Sequence, residues 1–150
     1  MQWFYEHILS IIIFLPLLSA LFSLLIADSS LCNRLHIAVA SLVFFISLYL
    51  WKVFDTTVTD LQFFESYLWI PFAGIRYIVG VDGINLMLLV LTSFLVPISL
   101  ISIISSKMKN KKYFLSLMMF LETGVLGALV SFDLVLFYAF WEFMLIPMYF

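Results

Sequence analysis

The sequence is dominated by apolar runs long enough to cross a lipid bilayer. Residues 8–27 contain no charged side chain, and a helix of roughly 20 residues spans the ~30 Å hydrocarbon core. Hydrophobic residues make up 65% of the chain and charged residues 11%. A water-soluble domain could not cover that much apolar surface with a polar exterior. The sequence therefore predicts an all-α integral membrane protein.

Five such runs are separated by polar segments. The predicted membrane spans are residues 8–27, 35–53, 83–104, 113–131 and 134 to 150 or beyond. Pro16 lies inside the first span, where neighbouring helices can satisfy the carbonyl that it frees. Asp82 precedes the third span in a position to cap its free amides. The residues before the first span include no Lys or Arg, which predicts a retained span and not a cleaved export signal.

Residues 54–82 form the longest segment rich in polar residues, and we predict an extracytoplasmic loop there. The segment mixes acidic residues with aromatic ones: Asp55, Asp60, Glu65, Phe63, Phe64, Tyr67, Trp69 and Phe72. Aromatic rings prefer the level of the lipid headgroups, so this composition suits a loop lying along the membrane surface. Pro71 and Gly74 predict a turn within it.

The distribution of Lys and Arg predicts the orientation of the chain. Five of these residues fall in the loops after the first and third spans, and two fall on the opposite side, Lys52 and Arg76. The five are Arg34, Lys107, Lys109, Lys111 and Lys112. Because cytoplasmic loops carry the excess of Lys and Arg, the N-terminus is predicted on the extracytoplasmic side. The net charge of −2 and the lack of a basic patch suited to phosphates do not favour nucleic-acid binding.

Glu142 lies deep within the fifth predicted span. If Asp133 is at the interface, Glu142 is nine residues deeper, which corresponds to ~13–14 Å of helix and places it near the middle of the bilayer. A charge at that depth costs at least ~2.5–3.5 kcal/mol on insertion scales. We therefore predict that Glu142 handles protons or ions. The alternative is a neutral side chain that only hydrogen-bonds a neighbouring helix.

Glu122 is a second carboxylate inside a span, and it is a weaker candidate for the same role. The fourth and fifth spans form a tight hairpin about Asp133, so Glu122 lies ~16 Å from the shared turn, nearly level with Glu142. The spacing is compatible with the two side chains facing each other or pointing apart. The small residues Thr123-Gly124 and Gly127-Ala128, with Gly124 and Ala128 four apart, favour close helix packing on the fourth span.

The remaining polar residues within or beside the spans favour structural roles. His7 and His36 fall at predicted membrane edges, where interfacial anchoring is expected. Cys32 is a single cysteine and is interpreted as a small apolar residue. No spacing of Cys or His suits an iron–sulfur cluster, haem or zinc, so any redox chemistry is expected in other chains.

Two segments resemble a known family. They are YIVGVDGI at residues 77–84 and DLVLFYAFWEFMLIPMY at residues 133–149. Both resemble the antiporter-like membrane subunits of proton-pumping NADH:quinone oxidoreductase, respiratory complex I, and the likeness extends over the whole chain. Asn85 stands where a serine is expected in that family.

The resemblance implies a function for Glu142 in particular. It corresponds to the half-channel glutamate of the family, whose protonation is coupled to a lysine on a later helix. No lysine lies deep inside a predicted span here, since Lys52 is at the very end of the second, and the family members are longer. The resemblance therefore implies the N-terminal part of a longer bundle.

The resemblance also implies the partners, the cofactors and the membrane. The expected partners are the lipid bilayer and other membrane-arm subunits of respiratory complex I. No cofactor is expected in this chain, since NADH, flavin, iron–sulfur clusters and quinone would be held by partner subunits. The expected location is the bacterial inner membrane or the mitochondrial inner membrane.

Two other functions are compatible with the same residues. One is a subunit of a multi-subunit sodium/proton antiporter, which shares the helical motif. The other is an inert membrane scaffold whose glutamates are only structural. A sodium gradient that drives activity would favour the first, and replacement of both glutamates without loss of coupling would favour the second.

Overall fold

Five helices and one β-hairpin make up the computed structural model, which describes residues 6–58, 60–106 and 110–149. The helices are α1 (Ile8–Leu25), α2 (Ser29–Val53), α3 (Gly83–Ser105), α4 (Lys111–Val130) and α5 (Leu134–Tyr149). The first four are long and apolar enough to cross a membrane, and α5 is a shorter apolar helix. The predicted all-α membrane class with about five helices is therefore confirmed. Lys107, Lys109 and the predicted end of the fifth span at residue 150 lie outside the described residues.

The connection between α1 and α2 is shorter than predicted. The second helix begins at Ser29, whereas its span was predicted from residue 35. The Asp28 side chain accepts a hydrogen bond from the Ser30 amide at 2.8 Å, so it caps α2. The first span was predicted to end at residue 27, directly before Asp28, but a carboxylate beside free amides begins a helix equally well. Polarity alone did not distinguish these two roles.

The third helix begins with a reciprocal cap. The Asp82 carboxylate accepts from the Ile84 and Asn85 amides, both at 2.8 Å. The Asn85 side-chain oxygen accepts from the Asp82 amide at 2.8 Å, which completes a capping box. Asn85, which stands where the family resemblance led us to expect serine, therefore has a structural role as part of the cap of α3.

The segment predicted as a plain loop, residues 54–82, contains an antiparallel hairpin. Its strands are β1 (Gln62–Ile70) and β2 (Ile75–Val81), with Tyr67 opposite Tyr77. Between them lies a 3₁₀ turn, Pro71–Ala73, followed by Gly74 in the left-handed region with a φ of 66°. The predicted turn at Pro71 and Gly74 is thus present. The prediction missed the strands because aromatic residues were interpreted only as interfacial anchors, although they also favour strands.

The hairpin is attached to the end of the bundle where α4 meets α5. Val79 forms an isolated antiparallel bridge with Ser131, and the Phe132 amide donates to the Ile78 carbonyl at 2.9 Å. Asp133 then caps α5 by accepting from the Val135 and Leu136 amides. The start of α1, the hairpin and the α4–α5 turn therefore lie at one end of the molecule.

Two apolar clusters fill the bundle between the helices. The one nearer the hairpin includes Ile12, Leu89 and Leu126, and the one nearer the α3–α4 turn includes Ala20, Leu100, Leu115 and Met119. Many other large apolar side chains remain exposed along the helices. Lipid or further protein can cover such a surface, whereas water would not favour it.

Candidate functional site

Glu142 lies on an outward face of α5. It is exposed on the described bundle, and Tyr138, one helical turn earlier on the same face, is its polar neighbour. Tyr138 is itself 60% exposed. The sequence-predicted site residue is thus found at mid-helix with one polar neighbour, pointing away from the other four helices.

Glu122 is buried inside the bundle. Its side chain is 1% exposed, and neither carboxylate oxygen has a hydrogen-bond partner within the described part of the chain. It shares the stripe of α4 formed by Leu115, Met119 and Leu126, since residues separated by three, four and seven positions lie on one helix face. Leu115 and Met119 pack in the cluster with Leu100 of α3 and Ala40 of α2. Ala20 of α1 belongs to the same cluster, so Glu122 lies on the face of α4 that is directed into the bundle.

The two glutamates do not form a pair. Glu122 is enclosed by the bundle and makes no hydrogen bond to any described residue, whereas Glu142 is exposed on α5 beside Tyr138. Of the two arrangements that the spacing allowed, the structure has the one in which they point apart.

Two glycines bring α4 and α5 together. A Cβ atom added at Gly124 would lie 2.5 Å from Cγ of Met144 and 3.3 Å from its backbone nitrogen. A Cβ atom added at Gly127 would overlap the ring of Phe140. The small residues of α4 thus serve close packing, as predicted, with the two closest approaches at Gly124 and Gly127.

Glu65 is a site residue that the sequence analysis treated only as part of a polar loop. Within β1 it alone is fully buried, at 2% exposure, and it accepts hydrogen bonds from the Leu9 and Ser10 amides, both at 3.0 Å. The Ser10 hydroxyl also donates to it. A carboxylate satisfies the free amides at a helix N-terminus and favours the helix dipole there. Glu65 therefore caps α1 from a distant strand, and no local spacing signals such a contact.

Tyr77 extends this polar contact. Its hydroxyl lies 2.9 Å from the Ser10 hydroxyl, which also contacts Glu65. Burial raises the pKa of Tyr77 to about 12. Electrostatic repulsion from Glu65 and Tyr67 also raises this pKa, whereas the hydrogen bond with Ser10 lowers it. Tyr77 is therefore a neutral hydrogen-bonding group at any physiological pH.

A cleft of about 570 Å³ lies between α1, the hairpin, α4 and α5. Ser10 and Tyr77 line it near the hairpin, and Thr123 and Phe140 line it deeper in the bundle. Its walls are mainly apolar, and neither glutamate is among the described residues that form them. The cleft is therefore distinct from both candidate proton sites.

His36 is buried in the bundle, so the interfacial location predicted for it is wrong. Its side chain is fully enclosed, with Nδ1 3.4 Å from the Ser19 hydroxyl and Nε2 3.5 Å from the Ser116 hydroxyl. The prediction failed because α2 begins six residues earlier than its predicted span, at Ser29, which moves His36 two turns into the helix. His7 lies just before α1 and contacts the Tyr67 hydroxyl at 3.0 Å.

No group of three or more His, Cys, Asp or Glu side chains that could hold a metal ion occurs within the described ranges. Cys32 is buried, and its thiol lies 3.6 Å from the Ser23 carbonyl and 3.7 Å from the Ile26 carbonyl. It packs at the end of α1 as a small side chain with a weak polar contact.

The chain matches known membrane subunits over nearly all of its length. No protein-family model matches it. It is 40% identical over 150 residues to NADH-quinone oxidoreductase subunit M of Rickettsia typhi, covering 95% of this chain and 30% of that protein. It is 35% identical over 148 residues to NADH-ubiquinone oxidoreductase chain 4 of Marchantia polymorpha, covering 97% of this chain and 30% of the relative. It is 30% identical to F(420)H(2) dehydrogenase subunit M of Methanosarcina mazei, covering 94% of this chain and 28% of the relative.

A solved structure has the same fold. Respiratory complex I from Thermus thermophilus with bound NADH contains a chain that superposes with a TM-score of 0.76 at 24% identity, covering 93% of this chain and 27% of that one. The chain thus spans 28% to 30% of the length of these curated relatives. Over nearly its whole length, it is a homologue of part of the subunit M and chain 4 proteins of NADH:quinone oxidoreductases.

Proposed function

We propose that this chain is part of a proton-translocating membrane subunit of an NADH:quinone oxidoreductase and that Glu142 is its proton-transfer group. The observation that carries the proposal is 40% identity to a subunit M over 95% of the chain. A relative at 30% identity is named for a different electron donor, F(420)H(2). The shared part of these proteins therefore fits a role in the membrane and not the binding of one particular donor.

The position of Glu142 suits proton transfer. It lies nine residues beyond Asp133, which is ~13–14 Å along the helix and close to the bilayer centre. The Tyr138 hydroxyl can donate to its charged form, while the neutral acid is the form that apolar surroundings favour. A change in a nearby charge would therefore move the carboxyl group between its two protonation states.

The outward face of α5 is where a partner charge would have to lie. Glu142 is exposed on that face, and the relatives are more than three times as long as this chain. Further helices of the complete subunit would cover the face and supply the lysine that the family resemblance implies. Glu142 would then lie at an interface inside the protein and not in lipid.

The partners and the orientation follow from the same proposal. The partner chains would be the other membrane-arm subunits of the complex, and NADH, flavin, iron–sulfur clusters and quinone would be held by subunits other than this one. The N-terminus would lie on the extracytoplasmic side of a bacterial or mitochondrial inner membrane, and the α3–α4 turn with its lysines would lie on the other side.

Replacement of Glu142 by Gln in the complete subunit tests the proposal. Glu142→Gln preserves shape and one hydrogen bond but cannot carry a proton, so we expect normal assembly and a loss of proton pumping of roughly 10²-fold or more. Glu142→Asp should retain part of the pumping because the ionisable group survives. Pumping is measured in sealed vesicles by a pH-sensitive dye during NADH oxidation.

The control is Asp60→Asn, which removes an exposed carboxylate from the loop before β1. We expect no loss of pumping in this variant. Near-normal pumping by Glu142→Gln would contradict the assigned role of Glu142. Activity that follows an imposed sodium gradient and not NADH oxidation would contradict the proposed reaction.

A further inference from the structure

The cleft between α1, the hairpin, α4 and α5 takes no part in the proposed proton transfer. Its lining extends from Ser10 to Leu17 on α1 and from Leu136 to Phe143 on α5. Each stretch covers seven residue steps, which corresponds to ~10 Å of helix. The volume of about 570 Å³ lies within the range of roughly 300–1,000 Å³ that is usual for small-molecule sites. The cleft is therefore large enough to hold a ligand.

The walls of the cleft are apolar and partly open to the side. The rings of Phe14 on α1 and Phe140 on α5 have centroids 6.4 Å apart, and Phe14 lies at the same distance from the ring of Tyr77. Phe14 and Ala139, which line the cleft, are both exposed. Water does not favour a cavity with such walls, whereas an apolar molecule does. A molecule dissolved in the membrane can enter between α1 and α5.

The polar end of the cleft has a defined hydrogen-bond direction. The Ser10 hydroxyl donates to the Glu65 carboxylate, and a hydroxyl group has only one hydrogen. In the 2.9 Å contact between the Ser10 and Tyr77 hydroxyls, Tyr77 is therefore the donor. The Tyr77 oxygen can still accept a hydrogen bond, but its own hydrogen is already in use.

A second hydroxyl in the cleft is in the same condition. Thr123 lines the cleft deeper in the bundle, and its hydroxyl donates to the Met119 carbonyl at 3.2 Å. At the polar end, the chain from Tyr77 through Ser10 ends on the negative charge of Glu65. Successive hydrogen bonds polarise one another, so this chain makes the Tyr77 oxygen a better acceptor. The cleft therefore favours an occupant that supplies its own donor.

We propose that the cleft binds a membrane-dissolved alcohol, an amphiphile with an apolar body and a terminal hydroxyl that donates to the Tyr77 oxygen. An ether, ketone or ester head would place one acceptor against another with no hydrogen between them. An ammonium head would lose its hydration inside apolar walls, which is costly. A plain alkyl chain would leave the acceptor unused. The inference concerns a site separate from both glutamates and does not depend on the proposed function.

Photolabelling of the complete subunit in lipid nanodiscs tests the site. The probes are an octanol that carries a diazirine and the methyl ether of the same molecule, compared at equal concentrations in the membrane. Mass spectrometry locates the label, which we expect on cleft residues such as Phe14 and Phe143. The ether should need a roughly fivefold to tenfold higher concentration for half-saturation, because one hydrogen bond to a buried acceptor contributes about that factor.

Three variants separate the hydroxyl contact from the cleft itself. Tyr77→Phe removes the acceptor, so it should raise the half-saturation concentration of the alcohol to that of the ether and leave the ether unchanged. Ala139→Phe places a ring in the open side of the cleft and should abolish labelling by both probes. Tyr113→Phe is the matched control, since this tyrosine is 62% exposed near the start of α4 and does not line the cleft. Its labelling should equal that of the unmodified subunit.

Equal half-saturation of the two probes, or a preference for the alcohol that survives Tyr77→Phe, would overturn the assigned head group. The absence of saturable labelling in the cleft would show that a further helix of the complete subunit fills it, and would overturn the site. Thermal unfolding in detergent verifies that each variant is folded. Normal pumping by Glu142→Gln would overturn the proposed function and leave this result unaffected.

Discussion

Glu65 joins the hairpin to the first helix through one buried carboxylate. It accepts hydrogen bonds from the Leu9 and Ser10 amides and from the Ser10 hydroxyl, so three donors converge on one carboxylate. Hydrogen bonds to a charged acceptor are roughly twice as strong as neutral ones. The start of α1 and the middle of β1 are therefore held at a fixed distance by a residue that lies more than fifty positions away along the chain.

We predict that Glu65→Gln destabilises the protein by about 1–3 kcal/mol, because the amide lacks the charge and turns a donor towards the helix N-terminus. The measurement is thermal unfolding in mild detergent followed by circular dichroism. Asp60→Asn removes an exposed carboxylate from the same segment, and the thermal unfolding midpoint of this variant should not change. Equal midpoints for both variants would show that the cap contributes nothing.

Because of Tyr77, the stability of the contact between the hairpin and α1 is expected to depend on pH in the alkaline range. Its pKa is about 12 in the folded protein because of burial, against an ordinary value of 10.0. The contribution of neutral Tyr77 to stability is therefore complete below pH 10 and is lost as the pH rises towards 12. We expect the unfolding midpoint to fall over that range in the unmodified protein and to fall less in Tyr77→Phe. Tyrosinate absorbance provides an independent titration.

At the scale of elements, α4 and α5 pack so closely that a side chain at either of two glycines of α4 would force its neighbour on α5 to move. Met144 and Phe140 of α5 occupy the space that side chains at Gly124 and Gly127 would need. Close backbone approach of this kind is the usual basis of helix association in membranes, where apolar burial gives little net driving force. The position of α5, which carries Glu142, against α4 therefore depends on the absence of side chains at these two glycines.

We predict that Gly127→Ala destabilises the α4–α5 pair by about 1–3 kcal/mol, the usual range for overpacking. Gly83→Ala is the control, since a Cβ atom there would meet nothing within 4 Å. Both variants are compared by unfolding in detergent. In Gly127→Ala combined with Phe140→Leu, the smaller side chain should recover part of the loss, and simple additivity of the two single effects would contradict the proposed contact.

The elements differ in how far the sequence predicts them. Charge-free apolar runs locate helices well, because their length is fixed by the bilayer. The caps at Asp82 and Asp133 are equally local, since their partners lie two or three residues away. The contacts of Glu65 and His36 depend on residues of other elements. The sequence shows where a carboxylate or an imidazole occurs, but it does not predict which distant residue will form a hydrogen bond with it.

At the scale of the whole molecule, the two ends of the bundle have different chemistry. One end has the hairpin, with exposed aromatic residues such as Trp69 and Phe72. At the other end Lys111 and Lys112 donate to the carbonyls of Ile104 and Ile26. Cations are favourable at helix C-termini, so these lysines stabilise the ends of the helices.

We predict that the hairpin tip and the α3–α4 turn are accessible from opposite sides of the membrane. Cys32 is the single cysteine of the chain, so Cys32→Ser provides a background free of other cysteines in this segment. Phe72→Cys, at a position that is 95% exposed, should react with a membrane-impermeant thiol reagent added from the extracytoplasmic side. Asn110→Cys should react only from the cytoplasmic side. The reverse pattern would show that the orientation is inverted.

The attachments of the hairpin determine when it can form during biosynthesis. Glu65 binds residues at the start of α1, and Val79 pairs with Ser131 after α4. The second attachment can exist only after the chain has crossed the bilayer four times, so the hairpin should become resistant to protease only late in insertion. Its closure would then mark, at that end of the bundle, that all four crossings have been completed in the correct order.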